Sequence, residues 1–452
     1  MIEFTDAEFN DVRLTKRLGS IVADLAEHPG KSLPEALGEW SKVKAAYRFL
    51  DNEKVTVEAI SEAERKATID KIQDHSTILA VQDTTSFNYT LHRDTEGLGP
   101  IGQAGLSGIF QHSCLAVSTE GVPLGMLERS MWVRPEETKN SKKTHKSRPL
   151  EDKESVRWIN MTLEVAAAVP SSIRVVMVGD RESDIYDLFV LKDTHGCDFL
   201  VRAAWNRRLD KSSDHLWEAA LKAPELGQTT IKIPRADERK EREATLTLRS
   251  TTVTFRPPSH RKKENLPPIT VNALLIQEND PPAGVKPVEW MLLTTLPVAT
   301  LEDALSVMTW YTYRWRIERY HYTLKSGCQV EKLELETADR LMRALAVYSL
   351  VALRLLSLTY QARQTPDAVC TVALNESEWH ALYAMTHKTA QLPGNPPDLK
   401  TAVLWIAKLG GFLGRKGDGH PGVKVLWRGF RRLQDLTAMW EVLNSSKLMG
   451  NA

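Results

Sequence analysis

This 452-residue chain has little that would indicate a disulfide framework, a membrane span or a nucleotide-binding loop. Its four cysteines are far apart and form no Cys-x-x-Cys pair, which disfavours disulfides and a zinc site: Cys114, Cys197, Cys328 and Cys370. We find no apolar run long enough to span a bilayer, and the polar N-terminus lacks a signal-peptide core, so we expect a cytoplasmic protein without a membrane partner. The Gly-x-x-x-x-Gly-Lys-Ser/Thr pattern is also missing, which argues against ATP dependence.

The formal net charge is only +1, so the global charge does not indicate nucleic-acid binding. Basic residues are nevertheless clustered at 139–148, at 260–263 and at Arg431-Arg432, and the first of these segments contains no acid. Each cluster alone is better explained as a solvated surface loop. Several clusters in one neutral protein favour a segregated face that binds DNA.

The length and composition, 42% hydrophobic and 26% charged, indicate a globular protein of several structural units. Residues 1–70 contain helical patterns without a convincing strand. One helix begins near Asp11 and is stopped by Pro29-Gly30, and a second spans 41–50 with three basic residues. We interpret this region as a small helical DNA-binding unit.

After residue 76 the pattern changes to short apolar strands and intervening helices. The predicted elements are strands at 78–81, 110–118 and 122–133, a helix at 153–169, a strand at 175–178, a helix at 183–191 and a strand at 199–202. Three antiparallel strands followed by helix–strand units are typical of an α/β fold with a mixed sheet.

The second half begins with a β-rich segment and ends in helices. Between about 205 and 300 we predict strands at 229–233, 244–248, 251–255, 269–276 and 290–295, punctuated by proline pairs. Helices are predicted at 301–326, where Thr300 and Asp303 form the cap and Gly327 the stop, and at 338–361. A Pro-Gly-Asn-Pro-Pro linker at 393–397 precedes a final helical unit.

The predicted helix around 310–325 carries an unusual set of polar residues. At about 100° per residue, one ~60° arc holds Tyr311, Arg314, Glu318 and Lys325. The stripe beside this arc is apolar and would pack on the core: Trp310, Ile317, Tyr320 and Leu324. A carboxylate flanked by two cations and a phenol suits a site that holds a metal and phosphates together, which points to phosphodiester chemistry.

Two further carboxylates, Asp83 and Asp180, follow short apolar strands. Adjacent strands lie about 4.8 Å apart, so acids at strand ends can meet at one sheet edge. If the Glu318 helix crosses that edge, three carboxylates converge, and their repulsion calls for cations. Two Mg²⁺ ions, for which Mn²⁺ can substitute, are the usual solution. Each acid taken alone is as well explained as a cap or turn residue.

These residues carry a specific resemblance to a known family. The spacing Tyr-x2-Arg-x3-Glu-x6-Lys stands at 311–325, the first acid lies in Ala-Val-Gln-Asp-Thr-Thr at 80–85, and the second lies in Asp-Arg-Glu-Ser-Asp-Ile at 180–185. Further matches run from the segment 11–17 through 45–49 to Leu-Gly-Gly-Phe at 409–412. The chain resembles the DDE cut-and-paste transposases of the insertion-sequence-four family, to which the transposase of transposon five belongs, over essentially its whole length.

The resemblance implies three domains. An N-terminal helical domain at 1–70 would bind the DNA end. An RNase H-like catalytic core at 71–365 would carry a β-rich insertion at about 205–300. A C-terminal helical domain at 366–452 would dimerise. The implied partners are double-stranded DNA with terminal inverted repeats, target DNA and a second copy of the chain. The implied reaction cuts one strand, forms and reopens a hairpin, and joins the 3′ ends to target DNA.

The resemblance also implies roles for individual residues. Asp83, Asp180 and Glu318 would be the catalytic metal ligands. Phenol and guanidinium groups can hold phosphate oxygens without competing for metal, which suits Tyr311, Arg314, Lys325 and Arg202. Trp290 matches a tryptophan on which the family stacks a flipped base, although strand packing alone would also explain it. DNA-end contacts are implied for Arg13, Arg17 and Lys31, with Leu14 where a second arginine is expected.

Two other functions stay open at this point. One is an RNase H-like endonuclease that cuts without joining strands. The other is a DNA-binding regulator that has lost catalysis, although a pure binder gains nothing from three acids near DNA phosphates. The basic segment 139–148 matches no family motif.

Overall fold

The computed structural model describes residues 9, 11–28, 30–102, 105–135, 154–233, 241–258, 261, 264–415 and 418–449. The basic segment 139–148 and most of the 260–263 cluster lie outside the described residues.

Four helices form the N-terminal region: α1 (Val12–Glu27), α2 (Leu33–Leu37), α3 (Trp40–Asp51) and α4 (Val57–Ile72). The sequence predicts a helical region here but indicates only α1 and α3 as separate helices. The Asp11 carboxylate caps α1 by accepting from the amide of Arg13 at 3.0 Å. Ser32 and Glu35 form a reciprocal capping box on α2. The apolar residues of α1 recur at helical spacing and are buried, so α1 docks by one face: Leu18, Ile21, Val22 and Leu25.

The central region, where the sequence predicts a catalytic core, is built on a mixed sheet. Its strands are β1 (Thr77–Asn88), β2 (Gly99–Pro100), β3 (Ser107–Ser118), β4 (Pro123–Trp132), β5 (Arg174–Gly179) and β6 (Asp198–Arg202). β3 pairs antiparallel with both β1 and β4, whereas β5 pairs parallel with β1 and β6. The helices α5 (Val156–Ala168) and α6 (Tyr186–His195) cover one face with apolar side chains. This arrangement confirms the predicted RNase H-like α/β core.

The β-rich insertion continues the same sheet. It contains α7 (Leu216–Lys222), β7 (Glu225–Ile233), β8 (Arg242–Phe255), β9 (Ile269–Glu278) and β10 (Glu289–Thr294). β10 pairs antiparallel with β6, which makes one ten-stranded sheet. The prediction of separate strands at 244–248 and 251–255 was wrong, because Arg249 and Ser250 stay in register with Leu275 and Leu274 of β9.

The predicted continuous helix at 301–326 is broken. It consists of α8 (Leu301–Thr312), α9 (Trp315–Tyr322) and a π-turn at Thr323–Gly327. The amide of Arg314 bonds the Tyr311 carbonyl three residues back at 3.1 Å, and the amide of Cys328 bonds the Thr323 carbonyl five residues back at 2.8 Å. These tighter and wider turns replace the regular hydrogen bonds of an α-helix. The prediction that the four polar side chains of 311–325 share one narrow arc of a single helix therefore does not hold.

The C-terminal region contains α10 (Ala338–Gln364), α11 (Glu376–His387), α12 (Leu399–Leu409) and α13 (Val423–Met449). A side chain at Gly410 or Gly429 would collide with the carbonyl of Val425 or Ile406, so α12 and α13 approach at the backbone. The absence of a long apolar run was overstated in the sequence prediction, because α10 is long and apolar enough to cross a membrane. The most apolar stretch of α10 is 76% buried, as in a helix of a protein core.

Candidate active site

Asp83 lies on β1, and Asp180 directly follows the neighbouring parallel strand β5 at the same edge of the sheet. Val81 of β1 is in register with Val178 of β5, so the two acids lie at matching positions two residues further on. Asp83 is inside β1 and not after it, which corrects the prediction: β1 continues to Asn88 because β3 pairs with it throughout. Burial raises the pKa of Asp180, and the nearby Asp83 raises it further.

A short turn fixes the orientation of Asp180. Its carboxylate accepts from the amide of Glu182 at 2.8 Å and thereby caps the 3-10 turn Arg181–Ser183. The hydroxyl of Ser183 donates to the Asp180 carbonyl at 2.6 Å. Hydrogen bonds from the following turn therefore hold both the carboxylate and the carbonyl of Asp180 in place at this edge.

Glu318 lies on α9, which packs against β1 and β3. Burial raises the pKa of Glu318, the guanidinium of Arg314 opposes this rise, and Asp83 adds to it. Arg314 donates from Nη2 to Oε1 of Glu318 at 2.6 Å. The helix break places Arg314 at the cap of α9, so this contact spans the first turn of the new helix.

Tyr311, Arg202 and Trp290 surround the same edge. Tyr311 is only 5% exposed, and its ring meets that of Trp290 edge to face at a centroid distance of 5.6 Å. Burial raises the pKa of Tyr311 and lowers that of Arg202, which lies at the end of β6. Arg202 donates to the Glu289 carbonyl at 2.9 Å and is in register with Leu292, so the insertion positions Trp290 beside the core.

Lys325 lies in the π-turn and not on a helix continuous with Glu318. Burial lowers its pKa, whereas the carboxylates of Glu331 and Asp83 oppose that shift. Its ammonium group lies 5.7 Å from the centroid of the Phe87 ring. The structure therefore places Lys325 near Asp83 through the π-turn. The periodicity of one continuous helix does not predict this position.

Three residues that the sequence left without a main role also support the site. His321 Nδ1 lies 3.4 Å from Asp83 Oδ2. Buried His112 forms a hydrogen bond through Nδ1 with the Thr84 hydroxyl at 2.9 Å. Arg157 was missed: it donates to Thr84 at 3.1 Å and to Glu182 at 2.9 Å, and so links the segments that follow the two aspartates. No spacing rule pointed to Arg157, because its partners are distant in sequence.

The three N-terminal cations do not belong to this site. Arg13 is exposed and pairs with Asp11. Arg17 is exposed on the same helix, and together with Lys42 it lines a cavity of about 290 Å³. Lys31 lies 3.3 Å from Asp435 of α13, so it joins the N-terminal and C-terminal helical regions.

The donor set at the edge fits a hard divalent cation. All three acids offer oxygen, which Mg²⁺ and Mn²⁺ prefer. Burial raises the pKa of Asp180 and of Glu318, and the charge of Asp83 adds to both rises. Within the described part of the chain, however, no three Asp, Glu, His or Cys side chains are already arranged to share one ion. The predicted convergence is thus incomplete in this state, in which Arg314 holds one oxygen of Glu318.

Comparison with protein families gives three matches in chain order. Residues 2–55 match a transposase DNA-binding domain, residues 153–354 a transposase DDE domain, and residues 350–443 the Tn5 transposase dimerisation domain. The DDE match implies dependence on divalent metal ions, and the outer two imply DNA and a second copy of the chain as partners. The chain therefore belongs to the DDE transposases, enzymes with endonuclease and strand-transfer activity, and has the domain order of a Tn5-like transposase.

Proposed function

We propose that this transposase cuts a mobile element at its terminal inverted repeats through hairpin ends and joins the 3′ ends to target DNA, as in the insertion-sequence-four family. The observation that carries the proposal is the juxtaposition of Asp83 on β1 and Asp180 directly after β5, with Glu318 on the helix that packs against β1 and β3. Phosphodiester chemistry needs such carboxylates beside cationic groups that donate hydrogen bonds to phosphate. Arg314 and Arg202 are groups of this kind at the same edge.

Asp83, Asp180 and Glu318 would hold two Mg²⁺ ions, or Mn²⁺ in their place. When bound, such ions lower the pKa of the attacking hydroxyl and neutralise the leaving oxygen. Arg314, Tyr311, Arg202 and Lys325 would orient the DNA by donating to nonbridging phosphate oxygens. An incoming phosphate would compete with Glu318 for the guanidinium of Arg314, and its binding would leave both Glu318 oxygens free for metal.

Trp290 would receive the base that a tight hairpin expels from the stack. Its edge-to-face contact with Tyr311 fixes the indole beside a proposed phosphate-binding residue. An aromatic platform contributes about 1–3 kcal/mol per stacked base. Hairpin formation is the step that requires the expelled base, so the tryptophan would act there more than in the first cut.

The N-terminal domain would bind the DNA end, and the C-terminal domain would bind a second copy of the chain, which brings the second active site. We assign end recognition to residues 1–70, with contacts from Arg13, Arg17 and Lys31, catalysis to 71–365 and dimerisation to 366–452. A homodimer would hold two ends in one paired-end complex before capture of target DNA. Because its substrate would be bacterial DNA, the protein would be located at the nucleoid, in the cytoplasm.

The test is Mg²⁺-dependent cleavage of DNA carrying the element's own ends, with wild type beside Asp180→Ala. Hairpin-ended fragments and joined products from wild type alone would support the proposal. Cleavage without joining would favour an endonuclease. Binding without any cut, with Mg²⁺ or Mn²⁺, would favour a regulator and overturn the proposal.

A further inference from the structure

Trp205 is one of the more exposed aromatic residues in the described part of the chain, with 65% of its surface open to solvent. It lies in the segment that leaves β6 directly after Arg202. A single exposed apolar side chain is ordinary on protein surfaces and by itself indicates nothing. The support beneath Trp205 and the charges around it are what distinguish it.

One buried carboxylate holds the segment at Trp205, through the backbone amides of two residues and the side chain of a third. The side chain of Asp184 is fully buried, and its Oδ2 accepts from the amides of Ala204 at 2.8 Å and Trp205 at 3.3 Å. Arg207 donates to Oδ1 of the same carboxylate at 2.6 Å. Burying a carboxylate is costly unless it is paired and fully hydrogen-bonded, and here both conditions are met. The indole is thus exposed on a fixed support.

This support is continuous with the catalytic edge. Asp184 follows Asp180 through the 3-10 turn, which at ~2 Å per residue spans about 8 Å. The amide of Ala203 donates to the Met291 carbonyl at 2.8 Å, so the segment passes beside the strand that carries Trp290. Trp205, whose amide bonds Asp184, therefore lies beside the strand of Trp290 and on the order of 10 Å from the second acid.

Exposed cations accompany the indole. Arg181 in the turn is exposed and lies near enough to Arg202 to lower the pKa of that guanidinium. Arg208 and Lys211, in the same segment as Trp205, are exposed as well. An aromatic face set among cations is the arrangement with which proteins hold unpaired nucleotides, since every base offers a π-face and every nucleotide a phosphate.

We propose that Trp205 is a second base-stacking residue, which holds an unpaired base about two to four nucleotides from the scissile phosphate while Arg181 and Arg208 contact the neighbouring phosphates. The separation follows from ~3.4 Å per nucleotide along one strand. A paired base presents only its edge, so the partner is a nucleotide freed from the duplex near the cut. The inference rests on the proposed function, because it takes the edge at Asp180 as the place where DNA is cut.

The experiment uses the full-length protein and duplex DNA of the element's own end, with 2-aminopurine placed in turn at each nucleotide near the cut on either strand. Wild type, Trp205→Ala, Trp205→Phe and Trp290→Ala are compared, with Leu413→Ala as a control at another exposed apolar site. Thermal unfolding establishes that each variant is folded. Binding of a short oligothymidylate is measured in parallel by anisotropy.

We expect a fluorescence change at one nucleotide about two to four positions from the cut that Trp205→Ala removes and Trp205→Phe and Trp290→Ala retain. Trp205→Ala should weaken oligothymidylate binding by roughly 5- to 150-fold, whereas Leu413→Ala should not. If wild type cuts the DNA and Trp205→Ala gives the wild-type pattern and affinity, the inference alone is overturned. If wild type does not cut, the proposed function fails, and the inference fails with it.

Discussion

Arg314 donates from Nη2 to Oε1 of Glu318 across 2.6 Å, and this contact occupies one of the two oxygens with which the third acid would bind metal. The Arg314 side chain is largely enclosed at 11% exposure, whereas 35% of the Glu318 side chain is open to solvent. A competing anion for Arg314 or a competing cation for Glu318 would release Glu318 from this pair. Substrate phosphate and divalent metal are such partners.

Glu318→Gln should abolish DNA cutting and leave end binding within about threefold of wild type. The amide keeps the shape of the side chain and an oxygen that can accept from Arg314, but it removes the charge that a metal ion needs. Single-turnover cleavage and a gel-shift assay measure the two properties, with the exposed Glu302→Gln of α8 as control. Loss of end binding together with cutting would make Glu318 a structural residue.

Asp180→Asn should raise the melting temperature of the metal-free protein at pH 7 by about 1–3 °C. Burial and Asp83 raise the pKa of Asp180 in the folded state, so the folded protein binds more protons than the unfolded one between the ordinary and the raised value. Stability is therefore lost as the pH rises through that window, and the asparagine variant escapes the loss. The difference should vanish below the ordinary pKa.

Scanning fluorimetry with and without Mg²⁺ tests this expectation. Metal should raise the melting temperature of wild type and have little effect on Asp180→Asn, because mass action stabilises only a state that binds the ion. Asp94→Asn, at an exposed aspartate, is the matched control. Equal stabilisation of wild type and Asp180→Asn by Mg²⁺ would exclude Asp180 as a ligand.

Trp290→Ala should slow hairpin formation roughly tenfold or more and the first nick much less. The indole is needed where a base leaves the stack, and the first hydrolysis does not require that. Rapid-quench analysis of nicked and hairpin DNA separates the steps, and Trp290→Phe should lie between alanine and wild type. Equal slowing of both steps would instead indicate that the contact with Tyr311 at 5.6 Å is the main role of Trp290.

His321→Asn should lower cleavage about 10- to 100-fold and shift the Mg²⁺ dependence to higher concentration. The imidazole lies 3.4 Å from Asp83 Oδ2 through Nδ1 and 3.4 Å from the Ser113 hydroxyl through Nε2, so it can orient the first acid. Cleavage rates over a Mg²⁺ titration measure the shift, with His195→Asn as the exposed control. A lower rate at unchanged Mg²⁺ dependence would contradict an orienting role.

Glu64→Gln should destabilise the protein by about 3–5 kcal/mol, because it leaves the buried guanidinium of Arg129 without countercharge. Glu64 on α4 pairs with Arg129 on β4, and Arg129 also donates to the Ala346 carbonyl of α10 at 3.1 Å. Chemical unfolding measures the loss, with Glu62→Gln as the partly exposed control. The double variant Glu64→Leu/Arg129→Met should recover most of it, and failure to do so would locate the cost in packing.

The elements of the core could be read from the chain because their signals are local. Alternating or continuous apolar residues indicated β3, β4, β5 and β6 to within a few residues, and caps such as Thr300 located the start of α8. The acids and their flanking residues carried the family resemblance, and the matches to transposase domains confirmed the enzyme class. The individual roles of the site residues remain predictions.

Other features depended on partners that are distant in sequence. β1 runs past Asp83 because β3 supplies its ladder, and the insertion extends the sheet because β10 finds the free edge of β6. The chain from 301 to 327 breaks at Arg314 and widens at Thr323, although its periodicity is that of one helix.

The sequence by itself determined which residue types reach the active site, since helix caps, strand patterns and the spacing of the acids are properties of neighbouring residues. Only the tertiary structure decided how those residues meet. It brought His321 to Asp83, joined Thr84 and Glu182 through Arg157, and anchored the Trp205 segment on Asp184. The physical reason is that a buried charge takes whichever partner the folded chain brings within hydrogen-bond distance, and that partner depends on packing and not on spacing.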